Sequence, residues 1–539
     1  MFLHAQVWFY LIFILLIWLE RYLLLKTSMK RIFEFLFFAV AAWAVLLSGC
    51  RKAFDVLPSQ GDFETSTDTV FLDSVFTGIS SPTYSFKIYN RSGKNISLKK
   101  IAPASGSNSF YRLNVDGVPG KVFEDVMIPA RDSIYVFVEL TADINALSDP
   151  VYEEPLLIED ESVRDTVWLV SFVKDAYFLY PRRFADHSVD SIQVGEYANG
   201  QPIRIPGFLI SNDTTITADK PVVIYGHLGV PPGKTLTIEA GAHLYFHYNS
   251  GIVVYEDASI HINGTLGNEV ILEDDRMQPD FENAPGMWNF IWLKEGSKNN
   301  VINYAVIKNA VAGVIAHPVN SNGDLVLNIS NTQIYNMSAY GLFAAASYVK
   351  GHNLVFNNSG SSALNIQLGG QYEFKHCTFA NYSSSVRNVY SAVVYVSNEY
   401  KSVDAQGNTT IFVNDLQQCD ILNSIVYGNR PIEFFAVKND AAGFQFKLSH
   451  SLVRFEDPNH EITEDYLDFT NTTYFSNNVL NANPDFENPD ENKMLIGMQS
   501  AGIGIGDANV ASSVPLDLLG EDRTSSPDAG AYQHTDFNN

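Results

Sequence analysis

Cysteine is scarce. The chain has 539 residues and three thiols, Cys50, Cys377 and Cys419. No disulfide framework can be built from them, which excludes the small cystine-stapled classes of secreted protein. Positive charge is scarce too: Lys and Arg number 35 against 60 Asp and Glu, a formal net charge of −25. A chain this acidic does not seek a nucleic-acid backbone, so nucleic acid is excluded as a partner. Helical periodicity is missing from the long central stretch, and with it the charged faces of helical repeats. What remains is 46% hydrophobic, enough at this length for two or more domains with real cores.

The stretch 301–455 repeats itself. Six segments open at Ile302, Ile329, Gly351, Phe374, Ile421 and Leu448. Their offsets are 27, 22, 23, 47 and 27 residues, and the 47 reads as two turns with one degenerate copy. A period in the twenties with irregular insertions marks a solenoid. A second column, Ala305, Thr332, Leu354, Cys377, Ser424 and Ser451, is mostly small, and Cys377 reads as a core residue. A third column, Ile307, Ile334, Phe356, Phe379, Val426 and Val453, is apolar throughout. A fourth begins Asn309, Asn336, Asn358, Asn381. The last three columns are two residues apart, so they share one face of a strand. Stacked copies would lie about 4.8 Å apart, and the Asn amides could donate and accept along their column as a structural ladder.

These residues resemble the right-handed parallel β-helix proteins of the pectate-lyase-like superfamily. The resemblance covers roughly 221–532 and implies a fold, not an activity, because that fold hosts lyases, hydrolases, adhesins and inert spikes. The expected architecture is all-β: an N-terminal immunoglobulin-like β-sandwich followed by a right-handed parallel β-helix.

The N-terminus carries two apolar runs. The second starts at Met29 with Lys30 and Arg31 and ends Leu47-Ser48-Gly49-Cys50. Basic residues, an apolar stretch and small residues form a secretory signal over 1–49. Met29 is the expected start, since a signal needs one apolar run. The ending resembles the bacterial lipobox, which implies cleavage before Cys50, lipid on that residue and membrane anchoring. Loss of 1–49 would leave 31 basic and 58 acidic residues, a net charge of −27. Residues 50–64 read as a tether. Some surface-exported lipoproteins of Bacteroidetes carry acids directly after the lipidated cysteine; here Arg51 and Lys52 follow. The expected location is the outer membrane, with its side unspecified.

Residues 65–175 alternate polar and apolar in short runs separated by turns such as Asn114-Val115-Asp116-Gly117, which predicts a β-sandwich. That turn and Arg131-Asp132-Ser133 resemble the immunoglobulin-like module that precedes β-helices in Bacteroidetes lipoproteins. The stretch 176–220 reads as a linker and capping strand, and 221–539 as the β-helix with a C-terminal closing turn.

Candidate chemistry is sparse. Five carboxylates crowd an insertion at 273–283, with Asp274, Asp275, Asp280 and Glu282 as the weak Ca²⁺ candidates. Their spacing fits no twelve-residue calcium loop, so no cofactor is expected. His243, Tyr245 and His247 share a strand face, but His residues four apart on a strand lie about 13 Å apart and cannot ligate jointly. Trp288 and Trp292 are expected to cap or fill a coil rather than stack on sugar. Outer-face charges include Lys308, Lys375, Arg387, Arg430, Glu433, Lys447 and Arg454, and nothing in their spacing singles out a base. Clustered Asp and a Gly-His-Gly turn, which hydrolases of this fold use, are not visible. The favoured reading is a lipid-anchored, non-catalytic β-helix that binds a glycan or an envelope protein. A polysaccharide lyase or glycoside hydrolase acting on the outer face, and a structural or adhesive envelope component, are the alternatives. Exposed rings along one face would mark the glycan binder.

Overall fold

The computed structural model describes residues 56–537, apart from 198, 318–322, 385–388 and 405–406. The signal region, Cys50 and Arg387 lie outside the described residues.

The N-terminal part is two β-sheets face to face. One runs in the order Val56–Pro58, Asn95–Pro103, Val151–Glu159, Arg164–Lys174, Thr69–Phe76, with Phe123–Ile128 also on Asn95–Pro103. The other runs Phe63–Thr65, Tyr84–Asn90, Ser133–Leu140, Tyr111–Val115, Val118–Gly120. Alternation decides which side chains enter the core. In Ser133–Leu140, Ile134, Val136 and Val138 point inward and meet Leu72, Leu98 and Leu169 of the facing sheet. Asp116 and Gly117 both have positive φ, 49° and 84°, as the tight primed hairpin between Tyr111–Val115 and Val118–Gly120 requires. Two strands, Val56–Pro58 and Phe63–Thr65, come from the stretch read as a tether.

The rest coils. Strands pair in parallel with the strand one coil on, through a 27-stranded sheet. One coil, for example, is His243–Phe246, Gly251–Val254 and Ser259–Asn263; the next is Val270–Asp274, Ile291–Leu293 and Asn300–Asn303. The prism therefore has three sides, named here the first, second and third sheets in that order. The opening column stacks in register on the third sheet: Ile302, Ile329, Gly351, Phe374, Ile421, Leu448 and then Phe475. The apolar column stacks on the first: Ile307, Ile334, Phe356, Phe379, Val426, Val453. Gly351 interrupts its column because a β-carbon there would lie 2.8 Å from Phe374 Cδ1; the ring of the next coil already fills that space.

Polar members of the columns also join coil to coil. The Thr332 hydroxyl accepts from Ala305 N and donates to Ser330 O. Ser424 repeats this with Cys377 N and Leu422 O, and Ser451 with Ser424 N and Ser449 O. Asn336 Nδ2 donates to Asn309 Oδ1 at 3.2 Å and Asn358 Nδ2 to Asn336 Oδ1 at 3.3 Å. These three have φ of 67°, 58° and 54°, a left-handed turn that Asn tolerates. Asn381 instead donates to the Ser359 and Ser361 carbonyls.

Three features differ from the sequence reading. The offset of 47 is one coil, since Phe374 pairs directly with Ile421; its extra length holds the hairpin Glu399–Val403 and Thr409–Val413. Coiling starts within 176–220: Tyr177–Leu179 pairs with Val222–Ile224, and Thr214–Ile216 with Leu236–Ile238. The C-terminal segment does not close the end. It runs lengthwise over the first sheet, where Met494, Leu518, Ala531 and Tyr532 bury Tyr335, Val355 and Ala380. The end is filled by aromatic side chains instead, with Phe469 stacked on Phe475 at 4.1 Å.

Arg523 fastens the segment. It is fully buried and donates to Asn353 Oδ1, Gly530 O and Ala531 O. His376 lies beneath, its Nε2 accepting from Asn423 Nδ2 at 3.0 Å. Burial, reinforced by the Arg523 guanidinium, pushes its pKa down to about 2. Below about pH 6.5 the unfolded chain binds a proton that the folded site refuses, so stability falls with falling pH by about 1.4 kcal/mol per unit for this group. The thermal midpoint of His376→Gln should therefore drop less between pH 7 and pH 4.5 than that of the wild type. Equal drops would contradict this.

Candidate functional site

Inward columns force their neighbours outward, and the three outer faces differ. The third sheet shows a polar column, Asn328, Lys350, Glu373, Asp420, Lys447. The first sheet is covered at one end by Phe76 of the sandwich against Tyr245, and further along by the C-terminal segment. The second sheet carries Trp292, Ile315, Phe343, Asn365, Tyr395 and Phe435 in one register column.

Each ring is turned out by its flanks. Ile291 and Leu293 are fully buried around Trp292, Leu342 and Ala344 around Phe343, and Val394 and Val396 around Tyr395. The four rings of the column are half-buried. At a strand spacing of about 4.8 Å, Trp292, Phe343 and Tyr395 recur about every 10 Å, and the column spans about 24 Å. Neighbours brace it. Trp292 meets Phe290 and His317 edge-on, each at 5.8 Å between centroids. Tyr340 leans on Phe343 at 5.3 Å. Tyr390, 60% exposed, touches both Tyr395 and Phe435.

Polar groups lie beside the rings. Lys294 Nζ sits 5.6 Å from the Trp292 ring and 5.0 Å from Tyr255, and burial lowers its pKa. Gln367 Nε2 donates to Asn365 Oδ1 at 2.9 Å. Burial pushes the Tyr395 phenol up to about 12, so it is neutral at ordinary pH. The face offers flat apolar platforms flanked by an ammonium and amides. It can stack a ring-shaped ligand and bond its hydroxyls; among the described residues it shows no paired nucleophile and base.

The sequence candidates fall elsewhere. Both Asp274 oxygens are engaged, by Arg276 N and by Asn309 Nδ2. Asp275 pairs with His247 and His243 with Glu273. Asp280 and Glu282 are exposed. Among the described residues no group of three His, Cys, Asp or Glu could hold a metal ion, so the Ca²⁺ candidates do not converge. Asn309 and Asn336 hold the acidic insertion down, at the Phe281 and Glu282 carbonyls and at Asn283 Oδ1. Lys308 pairs with Glu273, Lys375 with Glu373 and Arg454 with Glu456, while Lys447 is exposed. Glu433 is not an outer charge. It is fully buried and accepts from Arg430 N and Val393 N. Cys377 and Cys419 are buried free thiols. Trp288 fills its coil, stacked on Phe246 at 4.2 Å with its indole N–H on Lys308 O, whereas Trp292 faces out. The ring column escaped the sequence reading because its spacing along the chain changes at every step; aligning the second strand of each coil would have found it.

No family model matches the chain, and no curated protein does. Solved structures with a likeness to it include glycoside hydrolases. The catalytic unit of a thermostable GH87 α-1,3-glucanase from Streptomyces thermodiastaticus is 10% identical, with a TM-score of 0.25 over 68% of this chain and 73% of that one. A GH87 α-1,3-glucanase catalytic domain in complex with tetrasaccharides is 11% identical, with a TM-score of 0.20 over 69% and 84%. A family 123 glycoside hydrolase from Clostridium perfringens is 8% identical, with a TM-score of 0.15; the match covers 21% of this chain and 25% of that structure. At these scores the likenesses carry nothing over to the chemistry of this chain.

Loss of Glu433 leaves one buried and one part-buried N–H donor, Val393 N and Arg430 N, without this acceptor. Glu433→Ala should cost about 2–3 kcal/mol in denaturant unfolding and leave ligand binding by the folded fraction intact. Unchanged stability would show that its burial is inconsequential.

Proposed function

We propose that the protein is a lipid-anchored, non-catalytic envelope protein that binds a glycan chain lengthwise along the second sheet. Lipid on Cys50 would hold it to the outer membrane, an immunoglobulin-like sandwich would serve as a spacer, and a right-handed β-helix would present the binding face. The observation that carries the reading is the outward column in which Trp292, Phe343 and Tyr395 recur at equal steps of two coils, with Phe435 one coil beyond. A ligand that meets Trp292, Phe343 and Tyr395 at equal steps is itself repetitive, which suits a linear polymer of sugar rings better than an irregular protein surface. Trp292, whose indole N–H is buried, offers the flat apolar side of a ring, and the Asn365 and Gln367 amides beside the column offer polar groups, the combination that a sugar requires.

The hydrolase or lyase alternative would need an open groove with converging carboxylates. The first sheet is covered at Tyr245 by the sandwich and at Tyr335, Val355 and Ala380 by the C-terminal segment, and where Glu273 faces outward both its oxygens are held by His243 and Lys308. A purely structural role would leave the faces without such a column.

Affinity electrophoresis against neutral and uronate-containing polysaccharides tests the reading. At least one polymer should retard the protein, and Trp292→Ala and Tyr395→Ala should each weaken binding about tenfold or more, since truncating an aromatic anchor of an interface costs about 2 kcal/mol. Asn328→Ala on the third sheet should have no effect. Binding that survives both ring variants, or release of new reducing ends from the polymer, would overturn it.

A further inference from the structure

Where the sandwich meets the β-helix, the surface encloses a cavity of about 310 Å³. Its wall comes from both parts: Ser74 and Lys174 from the sandwich, and Tyr245, Glu273 and Lys308 from the outer face of the first sheet. Five side chains form one chain of contacts around it. Lys174 Nζ donates to the Tyr245 hydroxyl at 2.8 Å. The Tyr245 ring stacks on His243 at 4.1 Å. His243 Nε2 meets Glu273 Oε1 at 2.6 Å, and Lys308 Nζ meets Glu273 Oε2 at 2.7 Å.

Three cations, Lys174, Arg276 and Lys308, and three carboxylates, Glu273, Asp274 and Glu282, line the cavity, so what is uneven is the pairing and not the count. Both Glu273 oxygens are occupied, by His243 and Lys308. Asp274, the other buried carboxyl in the wall, is occupied by Arg276 N and Asn309, and burial raises its pKa. Glu282 and the Arg276 side chain sit exposed at the rim. Among the described residues Lys174 makes no ion pair; its ammonium has a phenol for a partner and two N–H donors to spare. Burial lowers its pKa, against the opposing pull of Glu273. A half-buried ammonium without a carboxylate is costly unless an anion completes it. A mere ion-pair clasp between the two parts would have set Lys174 against an acid.

We infer that this junction cavity binds a small oxyanion, a carboxylate or phosphate group, between Lys174 and Lys308, and that the bound anion ties the sandwich to the β-helix. The volume lies at the lower end of small-molecule pockets and suits one sugar acid or a phosphate. In a chain of net charge −25, an ammonium whose partner is a phenol and not a carboxylate gives an anion a place to approach. The inference is independent of the ring column, which lies on another sheet.

Calorimetric titration of the whole chain with inorganic phosphate, with glucuronate, and with glucose as the neutral control tests it. Phosphate or glucuronate should bind and raise the thermal midpoint, and glucose should do neither. The anion that binds identifies the source of the oxyanion. Lys174→Met should weaken that binding about tenfold or more, and Lys447→Met on the third sheet should not. If Lys174→Met fails to fold, Lys308→Met, which reaches the cavity from the other side, decides by the same criterion. Absence of binding by both anions, or wild-type affinity in a folded lysine variant, would overturn the inference.

Discussion

The coiled part of this molecule depends on the backbone hydrogen bonds that each coil makes to the next. A strand of one coil finds its partner some twenty or more residues away. Ile307 finds Ile334, Ile334 finds Phe356, and Phe379 finds Val426. Once that pairing is fixed, side chains have no freedom of position: inward residues must fill a column and outward residues must form one. Core and surface are set together, and a residue's place in its coil decides its role more than its chemistry does.

Outward columns then become what the covering elements leave open. The sandwich and the C-terminal segment bury most of the first sheet, through Phe76 on Tyr245 and through Leu518, Ala531 and Tyr532 on Tyr335 and Val355. The third sheet remains polar. The second keeps its rings partly exposed in one register column, and this is the face on which the proposed function rests. The cavity beside Lys174 exists for a related reason: two separately cored parts meet there and do not quite fill the seam.

Some of this was legible in the sequence. The apolar columns are, because their members sit two residues apart and recur with like beside like. The Asn column was legible as a ladder from Asn309 to Asn358, but Asn381 turns to backbone carbonyls, a choice that depends on the local turn. The offset of 47 misled because an inserted hairpin and a missing coil add the same length to a chain. The stretch 176–220 hid its coiling because its longest pairing, Ser191–Glu196 with Pro202–Leu209, is an antiparallel hairpin without a repeat. The ring column and the path of the C-terminal segment were not legible. Both depend on contacts between residues far apart in the chain, for example Arg523 with Asn353, and local pattern does not reach that far.

Register is therefore the most direct thing to measure. Asn328 and Lys350 are partners on neighbouring coils, and Glu373 is one coil further. Cysteines at Asn328 and Lys350 would lie about 5 Å apart and be able to bridge, whereas cysteines at Asn328 and Glu373 would lie about 10 Å apart, beyond disulfide reach. Oxidation should close the first pair in the folded protein and leave the second open, as read by mobility and thiol titration. Closure of the second pair, or failure of the first, would contradict the stacking from which every face of the molecule was assigned.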